Sequence, residues 1–305
     1  MIRLMFLCAA LLAACPLRAQ PPACTPSVTG RLDVIDFESK IFPGPRKLRI
    51  WLPPGYDPAA ARRYPVLYML DGQNLFDRCT GYGGQEWQAD EVASRLIAAH
   101  SIAPMVIVGI DNGGARRARE YLPYPDPFNP DAALVEGNKL AQMLREEVLP
   151  LIEQRFPVSR DRAERGLGGS SYGGIATLHI VRTHPDLFAK ALIESPSLQV
   201  GNGQVLRDAE HSFALPERLF IGMGDAEQRI EPGTPAEARP FIARANAAAV
   251  SGARRLEAAL SASLMPSAVK LVIAPGAHHH EAAWAARLPA ALSFLYGAAP
   301  AQARR

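Results

Sequence analysis

Residues 163–178 read AERGLGGSSYGGIATL, and what this stretch does decides the fold. Within it, Gly169-Ser170-Ser171-Tyr172-Gly173 is a G-x-S-x-G pattern, with further glycines on either side at Gly168 and Gly174. A nucleophile at the tip of a sharp strand-to-helix turn needs small residues two before and two after it, because the backbone doubles back and leaves no space for a Cβ. The flanks agree. Arg165–Gly168 reads as a short strand, and the apolar run from Ile175 to Val181 continues as a helix. Such a helix starts beneath Ser171 and aims its positive N-terminal end at an oxyanion forming beside the Oγ. Ser170 is the register-shifted rival, but only Ser171 stands at the centre of the pattern. Alone, the pattern fits a chemically idle glycine turn equally well, so its meaning rests on the surrounding chain.

Upstream, Arg31–Phe42 and Arg46–Leu52 alternate apolar and polar positions, as half-buried antiparallel strands do, with Pro43-Gly44-Pro45 as the turn between them. The pattern then changes. Pro65–Leu70, Met105–Ile110, Ala189–Glu194, Arg218–Met223 and Val269–Ala274 are short continuous apolar runs, the signature of strands buried on both faces. Helical spacing covers Asp90–Ala99, Ala141–Gln154, Ala247–Ala262 and Ala282–Leu295. Two antiparallel strands followed by a β-α alternation predict an α/β fold, a mostly parallel central sheet with helices on both faces. No repeat or linker interrupts 31–298, which is expected to be a single catalytic domain with 299–305 as a C-terminal tail.

The 305 residues are 48% apolar and 21% charged, enough for a full core. Residues 1–19, MIRLMFLCAALLAACPLRA, read as an export signal: Arg3 supplies the positive start and Leu4–Ala14 an apolar run too short to span a bilayer. Cleavage after Ala19 competes with a lipoprotein reading, in which Leu12-Ala13-Ala14-Cys15 is a lipobox and Cys15 carries a lipid anchor. The expected location is periplasmic or secreted, with residues 20–30 as a Pro-rich tether. The formal charge of +3 falls to +1 when Arg3 and Arg18 leave with the signal. With no basic face, nucleic acid is not an expected partner. Cleavage after Ala19 leaves Cys24 and Cys79 as the only cysteines, and an exported pair without a third partner predicts a disulfide.

In such a sheet, chemistry gathers at the C-terminal strand ends. After Pro65–Leu70 comes Asp71-Gly72-Gln73-Asn74, the loop that in acyl-transfer hydrolases gives one backbone N–H to the oxyanion hole; the residue after the nucleophile gives the other. Gln73 and Tyr172 are those candidates. After Arg218–Met223 comes Gly224-Asp225-Ala226-Glu227, where Asp225 and Glu227 compete to orient a histidine. After Val269–Ala274 come His278, His279 and His280, among which a base for Ser171 is expected. The chain order is thus serine, then acid, then histidine, each on its own strand end, which is the α/β-hydrolase arrangement.

Zinc is not expected: His280-Glu281-Ala282-Ala283 is followed by Trp284, which breaks H-E-x-x-H. His100, His179, His184 and His211 read as surface or packing residues. The loop Asp111–Asp131 carries Arg116, Arg117 and Arg119 beside Glu120, read as local ion pairs ahead of a substrate-binding wall. Tyr82, Trp87, Tyr121, Tyr124 and Phe128 are divided evenly between cleft and packing roles.

YPVLYMLDGQNLFD (64–77), EWQADEVASRLI (86–97), MVIVGIDNGGARRAREY (105–121), GLGGSSYGG (166–174) and HHHEAAW (278–284) together resemble a bacterial esterase family of α/β-hydrolases. That family includes enterochelin-type siderophore esterases, feruloyl and acetyl-xylan esterases, S-formylglutathione hydrolases and mycolyltransferases. The likeness covers about residues 31–297. It implies an acid in G-x-x-[DE], hence Glu227 over Asp225, and a histidine five positions before a tryptophan, hence His279. It also puts the oxyanion donors on Gln73 and Tyr172. Two features depart from the family: no second N-terminal domain of the enterochelin type is recognisable, and the short 194–218 stretch leaves little room for a lid. The expected protein is a serine carboxylic-ester hydrolase without metal or cofactor. Its expected substrate is a small ester of an exported compartment, such as a siderophore ester. The alternatives are a glycan (acetyl or feruloyl) esterase, an acyltransferase, or a hydrolase fold kept for binding.

Overall fold

The computed structural model describes residues 24–211, 215–263 and 268–297. The export signal 1–19 with Cys15, the start of the tether and the 299–305 tail lie outside the described residues. Strands β1 (Arg31–Glu38), β2 (Pro45–Leu52), β3 (Val66–Leu70), β4 (Val106–Ile110), β5 (Arg165–Ser170), β6 (Lys190–Glu194), β7 (Arg218–Gly224) and β8 (Val269–Ala274) form one sheet. Their order is β1-β2-β4-β3-β5-β6-β7-β8. The pairs β1–β2 and β2–β4 are antiparallel, and every other neighbouring pair is parallel. The expected mixed α/β sheet is therefore the one observed.

The apolar runs behave as strands buried on both faces must. Successive side chains alternate between two cores: on β3, Val66, Tyr68 and Leu70 join one and Leu67 and Met69 the other. On β7, Leu219 and Ile221 go one way and Phe220 the other. Helices α1 (Ala89–Ala98) and α8 (Glu281–Tyr296) cover one face. The second face is covered by α2 (Arg117–Tyr121), α3 (Gly137–Met143), α4 (Leu149–Arg155), α5 (Tyr172–Thr183), α6 (Val200–Ala209) and α7 (Arg239–Ser263).

Three differences from the expected elements have local causes. β1 stops at Glu38 because Ser39 Oγ accepts the amides of Ile41 and Phe42 and turns the chain. The single helix expected over 141–154 is α3 and α4 joined by a wider turn at Leu144–Val148. Pro150 lies at that join and lacks the N–H an α-helix would require there. Helix α6 had no helical pattern to announce it, since Gly201, Asn202 and Gly203 at its start have left-handed dihedrals.

The described part of the tether, 24–30, is strapped to the domain. Cys24 and Cys79 form the expected disulfide. Ser27 N–H and Oγ donate to Asp77 and Glu86, and Trp51 Nε1 donates to Thr29 O.

Candidate active site

Ser171 sits between the end of β5 and the start of α5 with φ 56° and ψ −121°, a conformation that costs a non-glycine residue about 1–3 kcal/mol. Its N–H donates to Glu194 O at 2.9 Å, which fastens the turn to the end of β6. A Cβ at Gly169 would lie 2.8 Å from the carbonyl carbon and oxygen of Gly173, so the elbow closes only over a glycine. The N–H of Tyr172, first in α5, has no acceptor among the described residues, as expected for the free amide at a helix start. The same holds for Gln73 N–H, in the tight turn Gly72–Asn74 that follows β3. Ser171, Gln73 and His279 line one cavity of about 370 Å³.

The three adjacent histidines diverge completely. His280 caps α8, its Nδ1 accepting Ala283 N–H at 3.2 Å. His278 Nδ1 lies 2.6 Å from Ala226 O, its donor to a backbone acceptor. His279 Nδ1 lies 2.5 Å from Glu227 Oε2, and its ring meets the Trp284 ring edge-on at 5.3 Å. The two acids divide as cleanly. Asp225 Oδ1 accepts Gly276 N–H at 2.6 Å, tying two loops together, whereas Glu227 faces the histidine. The second oxygen of Glu227 accepts Gly224 N–H at 2.6 Å and Ser195 Oγ–H at 2.7 Å. Gly224 must be a glycine: a Cβ there would come within 2.1 Å of Ala277 O. Burial pushes the Glu227 carboxyl up, but hydrogen bonds from His279 and Ser195 outweigh it and hold the group below its usual range.

Ser195 was not foreseen from the sequence. It follows β6, its Oγ donates to Glu227, and it accepts from Trp284 Nε1 at 3.0 Å and Arg287 Nη2 at 3.3 Å. These partners lie 32, 89 and 92 residues away, so no local signal announces them. Arg287 also pairs with the buried Glu194. The one trace in the sequence is the tryptophan five places after His279, which both packs the imidazole and fixes Ser195. Ser171 Oγ lies 3.3 Å from Ser197 Oγ; a direct Ser171–His279 hydrogen bond is not formed among the described residues.

His279 also borders a second cavity, of about 670 Å³, lined by apolar groups such as Leu198, Leu206, Met223 and Ala248. The first cavity is bordered by polar side chains that include Asn74, Asn112 and Glu281. Arg117 reaches it, held by Asp71 through two bonds of 2.7 Å and lying over the rings of Tyr121 and Tyr172. Arg116 and Arg119 make the local pairs expected of this loop, with Glu120 and Glu136. Among the aromatics, Trp87 and Tyr121 are packed in the interior, Tyr82 lines the first cavity and Phe128 is exposed. Tyr172 OH donates to the buried Asp126 at 2.6 Å, leaving only its amide for the site.

Residues 39–295 match the sequence-family model described as "Putative esterase". The ferri-bacillibactin esterase BesA of Bacillus subtilis is 26% identical over 204 residues, covering 60% of this chain and 67% of that enzyme. The iron(III) enterobactin esterase of Dickeya dadantii is 31% identical over 198 residues, 64% of this chain and 40% of that one. Siderophore hydrolase EstB from Aspergillus nidulans shares the fold, with a TM-score of 0.70 at 20% identity over 93% of this chain and 98% of its own. No helix of the described residues is long and apolar enough to cross a membrane.

Proposed function

The chain belongs to this esterase family and is a carboxylic-ester hydrolase, and from that premise we propose that Ser171, His279 and Glu227 are its catalytic triad. His279 Nε2 takes the proton as Ser171 Oγ attacks the ester carbonyl. The amides of Gln73 and Tyr172 then donate to the oxyanion, at the positive end of α5, worth roughly 3–4 kcal/mol per donor in enzymes of this chemistry. Glu227 holds the imidazole through Nδ1 and stabilises its cation without taking the proton. The protonated His279 gives its proton to the leaving alcohol, and water releases the acyl group by the same route. A rotation about the Ser171 Cα–Cβ bond exchanges Ser197 for His279 as partner; catalytic hydrogen bonds commonly tighten only once substrate is bound.

The observation that carries this reading is the 2.5 Å His279–Glu227 bond, in which the far oxygen of the acid is already saturated. It supports His279 over its two neighbours and Glu227 over Asp225.

For the substrate, we infer a small siderophore-type ester met in an exported compartment. The names of the relatives support that class, and so does a site of two moderate cavities on either side of His279. We retain 1–19 as an export signal and 31–298 as one catalytic domain. The Cys24–Cys79 disulfide, a bond of oxidising compartments, supports that location.

The test is hydrolysis of p-nitrophenyl esters, acetyl to palmitoyl, and of a catecholate siderophore lactone. Wild type is compared with Ser171→Ala, with fluorophosphonate labelling in parallel. Turnover and labelling that both vanish in the folded variant support the reading; turnover retained in Ser171→Ala overturns it.

A further inference from the structure

Away from the active site, at the first turn of α1, three acids crowd beneath the N-terminal strap. Glu86, Asp90 and Glu91 each offer a carboxylate oxygen, and these oxygens all lie within 4.8 Å of one another. Asp90 is 0% exposed and Glu86 8%. One oxygen of each acid is committed to the strap. Ser27 Oγ donates to Glu86 Oε1 at 2.5 Å, Thr29 N–H to Asp90 Oδ2 at 2.5 Å, and Thr29 Oγ1 to Glu91 Oε1 at 3.3 Å. The other oxygens, Glu86 Oε2, Asp90 Oδ1 and Glu91 Oε2, are buried with no hydrogen-bond partner among the described residues.

Three other buried acids are answered by cations, Glu120 by Arg46 and Arg116, Glu194 by Arg287 and Asp71 by Arg117, while the buried Asp126 and Glu281 accept from Tyr172 OH and Asn74 Nδ2. Among the described residues, no Lys, Arg or His pairs with Glu86, Asp90 or Glu91. Asp77 and Arg78 add charges of opposite sign near Glu86 and largely offset each other there. The positive end of α1 offsets part of the charge of the three acids, but a helix terminus carries only about half a unit. Orphan carboxylate oxygens in a buried site are costly unless a counter-charge reaches them.

We propose that Glu86, Asp90 and Glu91 form a structural Ca²⁺ site that staples the 24–30 strap to the start of α1. Ca²⁺ takes hard oxygen ligands in a flexible geometry, whereas Mg²⁺ demands a near-ideal octahedron and usually keeps several of its waters. Three carboxylates supply part of the six to eight oxygens Ca²⁺ takes, and water supplies the rest. The rival occupant is a proton shared between Asp90 and Glu91. The staple bears on the active site indirectly. Trp87 N–H and Ala89 N–H donate to Asn74 O and Leu75 O, so the acid-bearing segment braces the loop that holds Gln73.

The test uses the full mature chain, stripped with EDTA and returned to chelator-free buffer. Calorimetric titration with CaCl₂ should show one site per chain, and thermal unfolding should shift upward as CaCl₂ rises to about 10 mM, the range that saturates weak extracellular sites. MgCl₂ should act more weakly. Glu86→Gln and Glu91→Gln should each weaken Ca²⁺ binding roughly tenfold or more, in line with loss of a charged ligand. No heat and no shift in the wild type, a response to MgCl₂ equal to that to CaCl₂, or an unchanged response in both variants would overturn the proposal. None of these readouts depends on ester hydrolysis, so this site and the triad stand or fall separately.

Discussion

Replacing Glu227 by Gln is the sharpest test of the acid, because the structure dictates which way the amide must face. Position Oε1 receives two donors, and one of them, Gly224 N–H, cannot reverse its role. The amide oxygen is therefore forced to that side and the NH₂ toward His279 Nδ1. A ring whose Nδ1 must accept keeps its proton on Nε2, the nitrogen that has to take the proton from Ser171. The wrong tautomer costs a serine hydrolase about 10³–10⁴ in kcat, or roughly 4–5.5 kcal/mol at about 1.4 kcal/mol per decade. The fold should survive, since two of the three hydrogen bonds persist. The assay is kcat on a p-nitrophenyl ester across pH, with thermal unfolding as the control. A variant within about tenfold of wild type at every pH, with the fold intact, would refute the role given to Glu227. Acid stability gives a second reading. A carboxyl held below its usual range contributes stability that is complete above about pH 4.3 and is lost as pH falls through the depressed value. Glu227→Gln should lack that loss.

Ser171→Gly should be inactive yet more stable than Ser171→Ala by about 1 kcal/mol, because glycine accepts the φ of 56° and ψ of −121° that alanine resists. Chemical denaturation compares the two, and an alanine variant of equal or greater stability would contradict the strain at the elbow. His179, packed beside Tyr124 with Nε2 2.7 Å from Asn138 Oδ1, is pulled down to about 4, first by burial and then by Arg182. A neutral buried imidazole gives stability that is full above about pH 6.5 and lost toward pH 4, up to about 3 kcal/mol. Denaturation of wild type and His179→Gln at pH 7 and near pH 4.5 should therefore diverge, and parallel pH dependence in the two would refute the shift.

Much of the fold was legible because strands buried on both faces leave continuous apolar runs, and Val269–Ala274 was bounded correctly on that ground alone. Glycine-rich or proline-broken helices leave no such trace. The start of α6 passes through three left-handed residues, and Pro150 divides what helical spacing joined. At the site, the elbow was readable because its geometry restricts residue type locally. The choice among His278, His279 and His280 was not, because direction, not composition, separates them: one caps a helix, one binds a carbonyl and one meets an acid. Residue resemblance pointed to His279 and Glu227, and the physical basis for the tryptophan spacing emerges only through Ser195, a contact across 89 residues.

The attachments of Glu227 have a consequence for how this enzyme fails. Its donors come from the end of β7, from the residue following β6 and from the loop following β8. The acid thus reads the relative register of three adjacent strands rather than the conformation of one loop. Fraying confined to a surface segment leaves such a group untouched, whereas any slippage among those strands removes its partners together. This carboxylate is a gauge of the sheet, and its loss of partners belongs to the same cooperative unit as the opening of the strands that hold it.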